Sequence, residues 1–212
     1  MPPRVGVAYP SPMRIGAGRF RNAELPPVGP GVRPVPARLR HSLFTLIEPW
    51  VRGAAVLDLC AGVGGLGLEA LSRGASRAVL VDLDRPTLAA LARWIEHRGV
   101  GGEVAVVRAD ARRGGWPPGP YDLVFLDPPF DVWAAPAGIT PFLSRAVAEL
   151  APEGLVVVKA PGGAPVPENP RWVIRAVRRH GDVAYALLSA GAPTELDPVG
   201  PPGPGGDVPP RA

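Results

Sequence analysis

The chain has 212 residues, of which 46% are apolar and 20% charged, enough to build one buried core. No stretch approaches 18 consecutive apolar residues, and the N-terminal residues lack the apolar core of a signal peptide, so we expect a cytoplasmic protein without a membrane segment. Cys60 is the only cysteine, which excludes an internal disulfide and a cysteine-rich zinc site, and we expect no bound metal.

The 27 glycines and 30 prolines are concentrated at the two ends of the chain, which separates these ends from the central part. This distribution predicts a disordered leader over residues 1–12 and a disordered tail over residues 191–212. Between them we expect a basic extension with a helix over residues 13–53 and the main domain over residues 54–190. We expect the protein to be a monomer.

The extension is rich in arginine. Residues 14–52 contain seven arginines and only two glutamates. This excess of positive charge predicts a surface that contacts phosphate groups. A solvated face of an arginine-rich chain is the alternative interpretation, since the whole chain has 22 arginines and one lysine. Apolar residues at helical spacing predict an amphipathic helix over residues 37–50. The seven arginines are Arg14, Arg19, Arg21, Arg33, Arg38, Arg40 and Arg52.

From residue 54 onward, short apolar runs alternate with helical patterns. Apolar runs without alternation are typical of buried parallel strands. The pattern predicts an α/β fold, a Rossmann-like, mostly parallel seven-stranded sheet with an antiparallel C-terminal edge hairpin. The strands are predicted at 54–59, 78–81, 103–107, 121–126 and 155–159, the hairpin at 171–177 and 183–188, and the helices at 65–73, after a capping Asp84, and at 141–150.

A glycine-rich loop joins the first strand of this domain to its helix. Gly62-Val63-Gly64-Gly65-Leu66-Gly67 matches the G-x-G-x-x-G pattern, in which glycines allow a tight turn and the helix N-terminus offers free N–H groups to an anion. Asp82 ends the second strand, where a carboxylate can hold two ribose hydroxyls. The loop alone fits a nicotinamide dinucleotide or S-adenosylmethionine, and a glycine-rich turn without a ligand is the alternative.

Two features favour S-adenosylmethionine. Asp58 immediately precedes the loop, where its charge would repel a pyrophosphate and attract the ammonium of a methionine moiety. The fourth strand ends in Asp127-Pro128-Pro129-Phe130, which suits methyl transfer to an exocyclic amine. Leu83 is expected to pack on the adenine and Asp110 to accept its amino group, unless Asp110 caps a helix. The expected cofactor-binding residues are Asp58, Ala61, Gly62, Gly64, Asp82, Leu83, Asp110 and Ala111.

The Asp-Pro-Pro-Phe segment has a specific chemical use. An exocyclic amine is a poor nucleophile, because its lone pair is delocalised into the ring of the base. The Asp127 carboxylate and the Pro128 carbonyl can each accept one N–H, while Pro129 stiffens the loop and Phe130 offers a face to an extruded base. We therefore predict these four residues as the catalytic set. The alternative is a loop-capping Asp127 and a core Phe130.

With these motifs in order, the chain resembles the RsmD-type 16S rRNA guanine-N2 methyltransferases. The resemblance implies S-adenosylmethionine-dependent formation of N2-methylguanosine in 16S rRNA, within the 30S subunit or its assembly intermediate. It also implies that the basic region faces RNA, with Arg19, Arg21, Arg33 and Arg38 as the phosphate contacts. The matching runs lie at 13–25, 33–47, 56–76, 79–85, 123–130 and 171–188.

Some positions depart from the family pattern. Val35, Ala37 and His41 stand where the family has Thr, Asp and Glu, and the family often has a carboxylate near Lys159. These departures motivate one alternative, a non-catalytic RNA-binding homologue. The glycine loop and the Asp-Pro-Pro-Phe segment are shared with DNA adenine-N6 and cytosine-N4 methyltransferases, the other alternative, but the chain leaves little room for a separate target-recognition domain. Trp133 is expected either to line the base pocket or to cover the sheet edge.

Overall fold

The computed structural model describes residues 12–27, 36–135 and 138–191. Except for Pro12 and Gly191, the predicted leader and tail lie outside the described residues. Arg33 and Val35 also lie outside them.

The centre of the molecule is a seven-stranded sheet with the strand order β3-β2-β1-β4-β5-β7-β6. The strands β3, β2, β1, β4 and β5 are parallel to one another. Strand β7 is antiparallel to both β5 and β6. The prediction of a mostly parallel sheet with an antiparallel C-terminal hairpin is therefore confirmed. The strands are β1 (Ala55–Leu59), β2 (Arg77–Asp82), β3 (Val104–Arg108), β4 (Tyr121–Leu126), β5 (Leu150–Pro161), β6 (Trp172–His180) and β7 (Val183–Ala190).

Within the described residues there are five α-helices and one 3-10 helix, and α1 and the 3-10 helix precede the first strand. The carboxylate of Asp84 accepts the backbone N–H of Thr87 at 2.9 Å, which confirms the predicted cap of α3. None of the helices in the described ranges is long and apolar enough to cross a membrane. The helices are α1 (Ala37–Leu46), the 3-10 helix (Glu48–Trp50), α2 (Gly67–Ser72), α3 (Arg85–Arg98), α4 (Asp131–Ala134) and α5 (Thr140–Ala148).

Two boundaries differ from the prediction for local reasons. The helix expected through residue 50 ends at Leu46, and a 3-10 turn with Pro49 at its start replaces the last turn. The strand expected from residue 155 begins at Leu150, because Leu150 already pairs with Tyr121 before a register shift restores regular pairing at Leu155.

The core lies on both faces of the sheet, in two apolar clusters. Side chains such as Val56 and Phe125 pack with α1, α2 and α3 on one face, while Leu57 and Val124 pack with α5 on the other. Because helices cover both faces, most positions of β1, β2 and β4 are buried, and this explains their mostly apolar sequences.

The N-terminal residues 13–25 form an arm that lies along α2. The backbone of Ile15 donates to Ala23 at 3.0 Å, so the arm folds back on itself. Its Gly16 and Ala17 N–H groups donate to the buried Glu69 carboxylate at 2.7 and 3.1 Å. The arm is therefore held to the main domain by a charged side chain of α2.

Arg40 departs from the predicted basic surface. Its side chain is only 4% exposed, with Nε 3.4 Å from Oε2 of Glu69, and it also donates to the backbone oxygen of Arg14. The prediction that seven arginines form one exposed surface is therefore wrong for Arg40. Its face of α1 packs onto α2, where the Glu69 carboxylate requires a cationic partner.

Candidate active site

The carboxyl ends of β1, β2 and β4 bring the predicted site residues together. The backbone N–H of Asp127 donates to Leu59 at 3.2 Å, which joins the end of β4 to the end of β1. The N–H of Gly62 donates to Asp82 Oδ2 at 2.7 Å, which joins the glycine loop to the end of β2. Asp82, the glycine loop and Asp127 consequently share one edge of the sheet, as parallel strands require.

The three glycines of the motif are required for different structural reasons. Gly62 and Gly64 have φ angles of +54° and +77°, in the left-handed region that favours glycine. A Cβ on Gly67 would lie 2.4 Å from a methyl carbon of Leu80, so this glycine allows close packing of α2 on the sheet. A Cβ on Gly62 would meet nothing within 4 Å, so this turn borders open space that a ligand can approach.

Asp58 is buried beneath the loop, and its two carboxylate oxygens differ. Oδ2 accepts the N–H of Gly67 at 2.8 Å, so the expected free N–H at this helix start is already used. Oδ1 is buried without a hydrogen-bond partner. Burial, together with the charges of Asp127 and Asp82, raises the pKa of Asp58 to about 8, although the hydrogen bond from Gly67 acts to lower it. A buried carboxylate oxygen without a donor fits a cationic group of a ligand.

Carboxylates make the electrostatic potential at this edge of the sheet negative. Burial raises the pKa of the Cys60 thiol, and nearby carboxylates add to that effect. Such a field repels a pyrophosphate and attracts the sulfonium and ammonium of S-adenosylmethionine. In the described part of the chain, no group of three or more His, Cys, Asp or Glu side chains is arranged to hold a metal ion. The carboxylates that act on Cys60 are those of Asp82, Asp127, Asp58 and Asp110.

Asp82 holds its own loop in place. Its Oδ1 accepts the N–H groups of Leu83 and Asp84 at 2.7 and 3.0 Å, while Oδ2 accepts only Gly62. Oδ2 therefore keeps acceptor capacity for a ribose hydroxyl. Leu83 is 54% exposed, an unusual state for a large apolar side chain, and is free to pack on a planar ligand.

Asp110 is engaged locally, but it does not cap a helix, because a turn follows it at residues 111–113. Both of its carboxylate oxygens bind the side chain of Arg112, and Oδ1 also accepts the Arg112 backbone N–H at 2.9 Å. The bonded Arg112 side chain lowers the pKa of Asp110 to about 2. Ala111 is buried in the second apolar cluster. The adenine contact of these two residues stays a prediction.

The Asp-Pro-Pro-Phe segment leaves β4 at the same edge. The side chain of Asp127 is 20% exposed, Pro128 is buried and the ring of Phe130 is 39% exposed, so the segment is neither fully packed nor fully solvated. Trp133 packs against the second apolar cluster, and its buried Nε1 has no hydrogen-bond partner. Because the ring of Phe130 is partly exposed, it is available to an incoming base.

Lys159 is a residue of the site that was not predicted from the sequence. Its Nζ forms an ion pair with Asp127 Oδ1 and lies 5.5 Å from the centre of the Phe130 ring. Burial raises the pKa of Asp127, while the Lys159 charge acts to lower it. A single lysine at the end of an apolar strand gives no signal in the sequence, because only the register of β4 and β5 reveals its neighbour.

The predicted RNA contacts are spread over the molecule. Arg38 is exposed at the start of α1, two positions before Arg40, which pairs with Glu69 in the first turn of α2 just after the glycine loop. The start of α1 therefore lies on the side of the site. Arg21 is exposed on the arm. Arg19 pairs with Glu103, which precedes β3 at the opposite edge.

Comparisons with known proteins show the family of the chain. A family model described as "Conserved hypothetical protein 95" matches residues 13–189. "Ribosomal RNA small subunit methyltransferase D" of Escherichia coli K12 is 36% identical over 190 residues, which cover 87% of this chain and 93% of that protein. The protein of the same name in Haemophilus influenzae is 31% identical over 182 residues, 82% of this chain and 92% of that one. The solved structure of Escherichia coli yhhF has a TM-score of 0.72 and 33% identity, and covers 86% of this chain and all of that one.

Proposed function

Because the chain belongs to the family described as "Conserved hypothetical protein 95", together with the small-subunit methyltransferase D proteins, we propose that it is an S-adenosylmethionine-dependent methyltransferase that forms N2-methylguanosine in 16S rRNA. The observation that carries the proposal is the position of Asp127 at the end of β4, where its N–H donates to the oxygen of Leu59, the last residue of β1 before the glycine loop. Asp127 would therefore offer an acceptor for a base amine next to the predicted cofactor site.

The donor set of the site fits S-adenosylmethionine, the cofactor expected of this class. Asp58 Oδ1, buried and without a donor, would face the ammonium of the methionine moiety. Asp82 Oδ2 would accept a ribose hydroxyl, with Leu83 against the adenine. Gly62 and Ala61 would let the backbone approach the ligand closely. When bound, the cofactor supplies an electrophilic methyl group.

The residues at the end of β4 would orient the guanine. The Asp127 carboxylate and the Pro128 carbonyl would each accept one N–H of the exocyclic amine, so that its lone pair is directed toward the methyl group. Phe130 would stack on the extruded base, and Pro129 would keep the loop rigid. The proton lost from the amine would pass to water or to Asp127. No strongly basic side chain is required, because positioning and charge supply the effect.

The proposed substrate is the 16S rRNA within the 30S subunit or an assembly intermediate, and the proposed enzyme acts as a monomer without a metal. Arg19, Arg21, Arg33 and Arg38 are the proposed phosphate contacts, although the pairing of Arg19 with Glu103 holds Arg19 at the opposite edge of the sheet from the site. Exposed guanidinium groups suit this role because they bind phosphate oxygens through two parallel hydrogen bonds.

The test is methylation with labelled S-adenosylmethionine of small subunits from a strain that lacks the enzyme, followed by nuclease digestion and nucleoside analysis. We expect label in N2-methylguanosine. Label in N6-methyladenosine or N4-methylcytidine, or label only in a DNA substrate, would contradict the proposal and favour the DNA alternative. Calorimetry that detects no cofactor binding at high micromolar concentration would favour a non-catalytic RNA-binding homologue.

A further inference from the structure

Lys159 is the only lysine among the 212 residues, and it lies in the candidate active site. Its position follows from strand register. Leu126 of β4 is paired with Val158 of β5, so the next residues along the two parallel strands, Asp127 and Lys159, lie side by side. Side chains at neighbouring register positions point to the same face of a sheet. The ammonium and the carboxylate therefore meet at the edge where the sheet ends.

The contacts of Lys159 are confined to the proposed catalytic segment and the strand beside it. The ammonium pairs with Asp127 Oδ1 and lies over the ring of Phe130, and the side chain is only 12% exposed. On its other side Lys159 is paired with Tyr185 of β7, whose hydroxyl is buried without a hydrogen-bond partner. Asp127 Oδ1 is thus engaged by the ammonium, while the second carboxylate oxygen stays available to a base amine.

We propose that Lys159 is a positioning residue that keeps the Asp127 carboxylate ionised and oriented for the amine of the base. The inference rests on the proposed function, because it assigns a partner to the proposed amine acceptor. A largely buried carboxylate tends to take up a proton, and a protonated Asp127 would present a donor to a base amine that is itself a donor. A cation held within contact distance opposes that protonation.

The charges around Asp127 make Lys159 the decisive partner. Burial raises the pKa of Asp127, and the ion pair with Lys159 is the influence that lowers it. The other titratable groups in electrostatic range are Asp58 of β1, Cys60 in its turn and Tyr185 of β7, none of which carries a positive charge. Arg40 of α1 acts on Tyr185 but is already paired with Glu69. Among the residues that the structure describes, removal of the lysine charge would leave Asp127 without a close cation.

A series of substitutions at residue 159 tests the inference through the pH dependence of kcat/KM on small subunits. Lys159→Arg keeps the charge and should keep the wild-type profile. Lys159→Met should move the acidic limb up by about 1 to 3 pH units, with activity recovered at high pH. Lys159→Glu should move it further, because a like charge raises the pKa of a carboxyl group. A Lys159→Met profile equal to the wild-type profile, faster transfer at every pH, or activity that does not recover at high pH would overturn the inference.

A second measurement needs neither RNA nor cofactor. Reductive methylation with 13C-formaldehyde labels Lys159 and the N-terminal amine alone, so each gives its own NMR signal. We expect the Lys159 signal to show the titration step of Asp127, and this step to be absent in Asp127→Asn, while the N-terminal signal is the same in both proteins. A Lys159 signal that titrates identically in both would overturn the inference. Since no substrate is present, this result is independent of whether the proposed methyl transfer occurs.

Discussion

Oε2 of Glu69 lies 2.7 Å from the backbone nitrogen of Gly16, although 53 positions separate the two residues. The same buried carboxylate pairs with Arg40 and Arg73, so one side chain joins the N-terminal arm, α1 and α2. The arm is therefore a fixed part of the main domain in the described structure, and its exposed arginines are held at defined positions.

Glu69→Gln should destabilise the fold strongly. The substitution leaves the buried Arg40 guanidinium without its carboxylate, and breaking a buried pair costs about 3–5 kcal/mol. The free energy of unfolding in urea measures this. Glu24→Gln is the matched control, because it breaks the exposed pair with Arg14 and should cost about 0–1 kcal/mol. Equal losses in the two variants would show that Glu69 does not anchor the arm.

Gly62→Ala should weaken cofactor binding beyond its effect on stability. Gly62 and Gly99 both have positive φ angles, and a Cβ at either position would meet nothing within 4 Å of the folded protein. Each alanine should therefore cost about 1–2 kcal/mol of backbone strain. Only the methyl group on residue 62 would point into the proposed cofactor site, so calorimetry should show at least about tenfold weaker binding there. Weaker binding of the same size in Gly99→Ala would contradict this assignment of the site.

Asp58 should make the stability of the free protein depend on pH. Its folded-state pKa of about 8 lies above the ordinary value of 3.8, so the folded protein holds this proton more tightly than the unfolded chain. The stabilising contribution is complete below pH about 4 and is lost as the pH rises through about 8. Asp58→Asn should remove this part of the slope when unfolding free energies are compared between pH 4 and pH 9. Parallel curves for the two proteins would refute the raised pKa.

Cofactor binding should also release a proton through Asp58. At pH 7 the free protein holds Asp58 mainly protonated, and a ligand ammonium beside Oδ1 would favour the ionised form. The calorimetric enthalpy of S-adenosylmethionine binding should therefore vary with the ionisation enthalpy of the buffer, by up to about one proton per site. Asp58→Asn should reduce that variation. Enthalpies independent of buffer in the wild-type protein would argue against an ammonium at Asp58.

Arg38→Gln should weaken binding to small subunits more than Arg19→Gln. Arg38 is exposed on the side of the site, whereas Arg19 pairs with Glu103 at the opposite edge of the sheet. Loss of one phosphate contact lowers the slope of log K against log salt by about 1. We expect that change for Arg38→Gln and a smaller one for Arg19→Gln. The reverse order would place the RNA against the arm and away from the start of α1.

The order of strands and helices could be predicted because each local pattern has a local cause. Buried parallel strands are apolar throughout, and Asp84 caps α3 through bonds to residues close in sequence. The placement of Asp82 and Asp127 at one edge follows from the rule that parallel strands end together. These features need no knowledge of distant contacts.

The missed features depend on contacts between elements. Arg40 is buried because Glu69 of another helix lies beneath it, and no pattern within α1 shows this. Lys159 belongs to the site because of the pairing of β4 with β5, which begins irregularly at Leu150. Arg19 of the arm forms an ion pair with Glu103, which is distant in the sequence. Residue composition and spacing report local structure well, but the partners of charged side chains require the fold.

The most direct test of the account is the rate of methyl transfer by Asp127→Asn. The substitution keeps the size of the side chain and replaces one acceptor oxygen with a donor, while the glycine loop that would bind the cofactor is unchanged. With saturating S-adenosylmethionine and small subunits that lack the modification, we expect kcat to fall by about 100- to 1,000-fold, with cofactor affinity retained. Wild-type kcat in Asp127→Asn, with label still in N2-methylguanosine, would contradict the account.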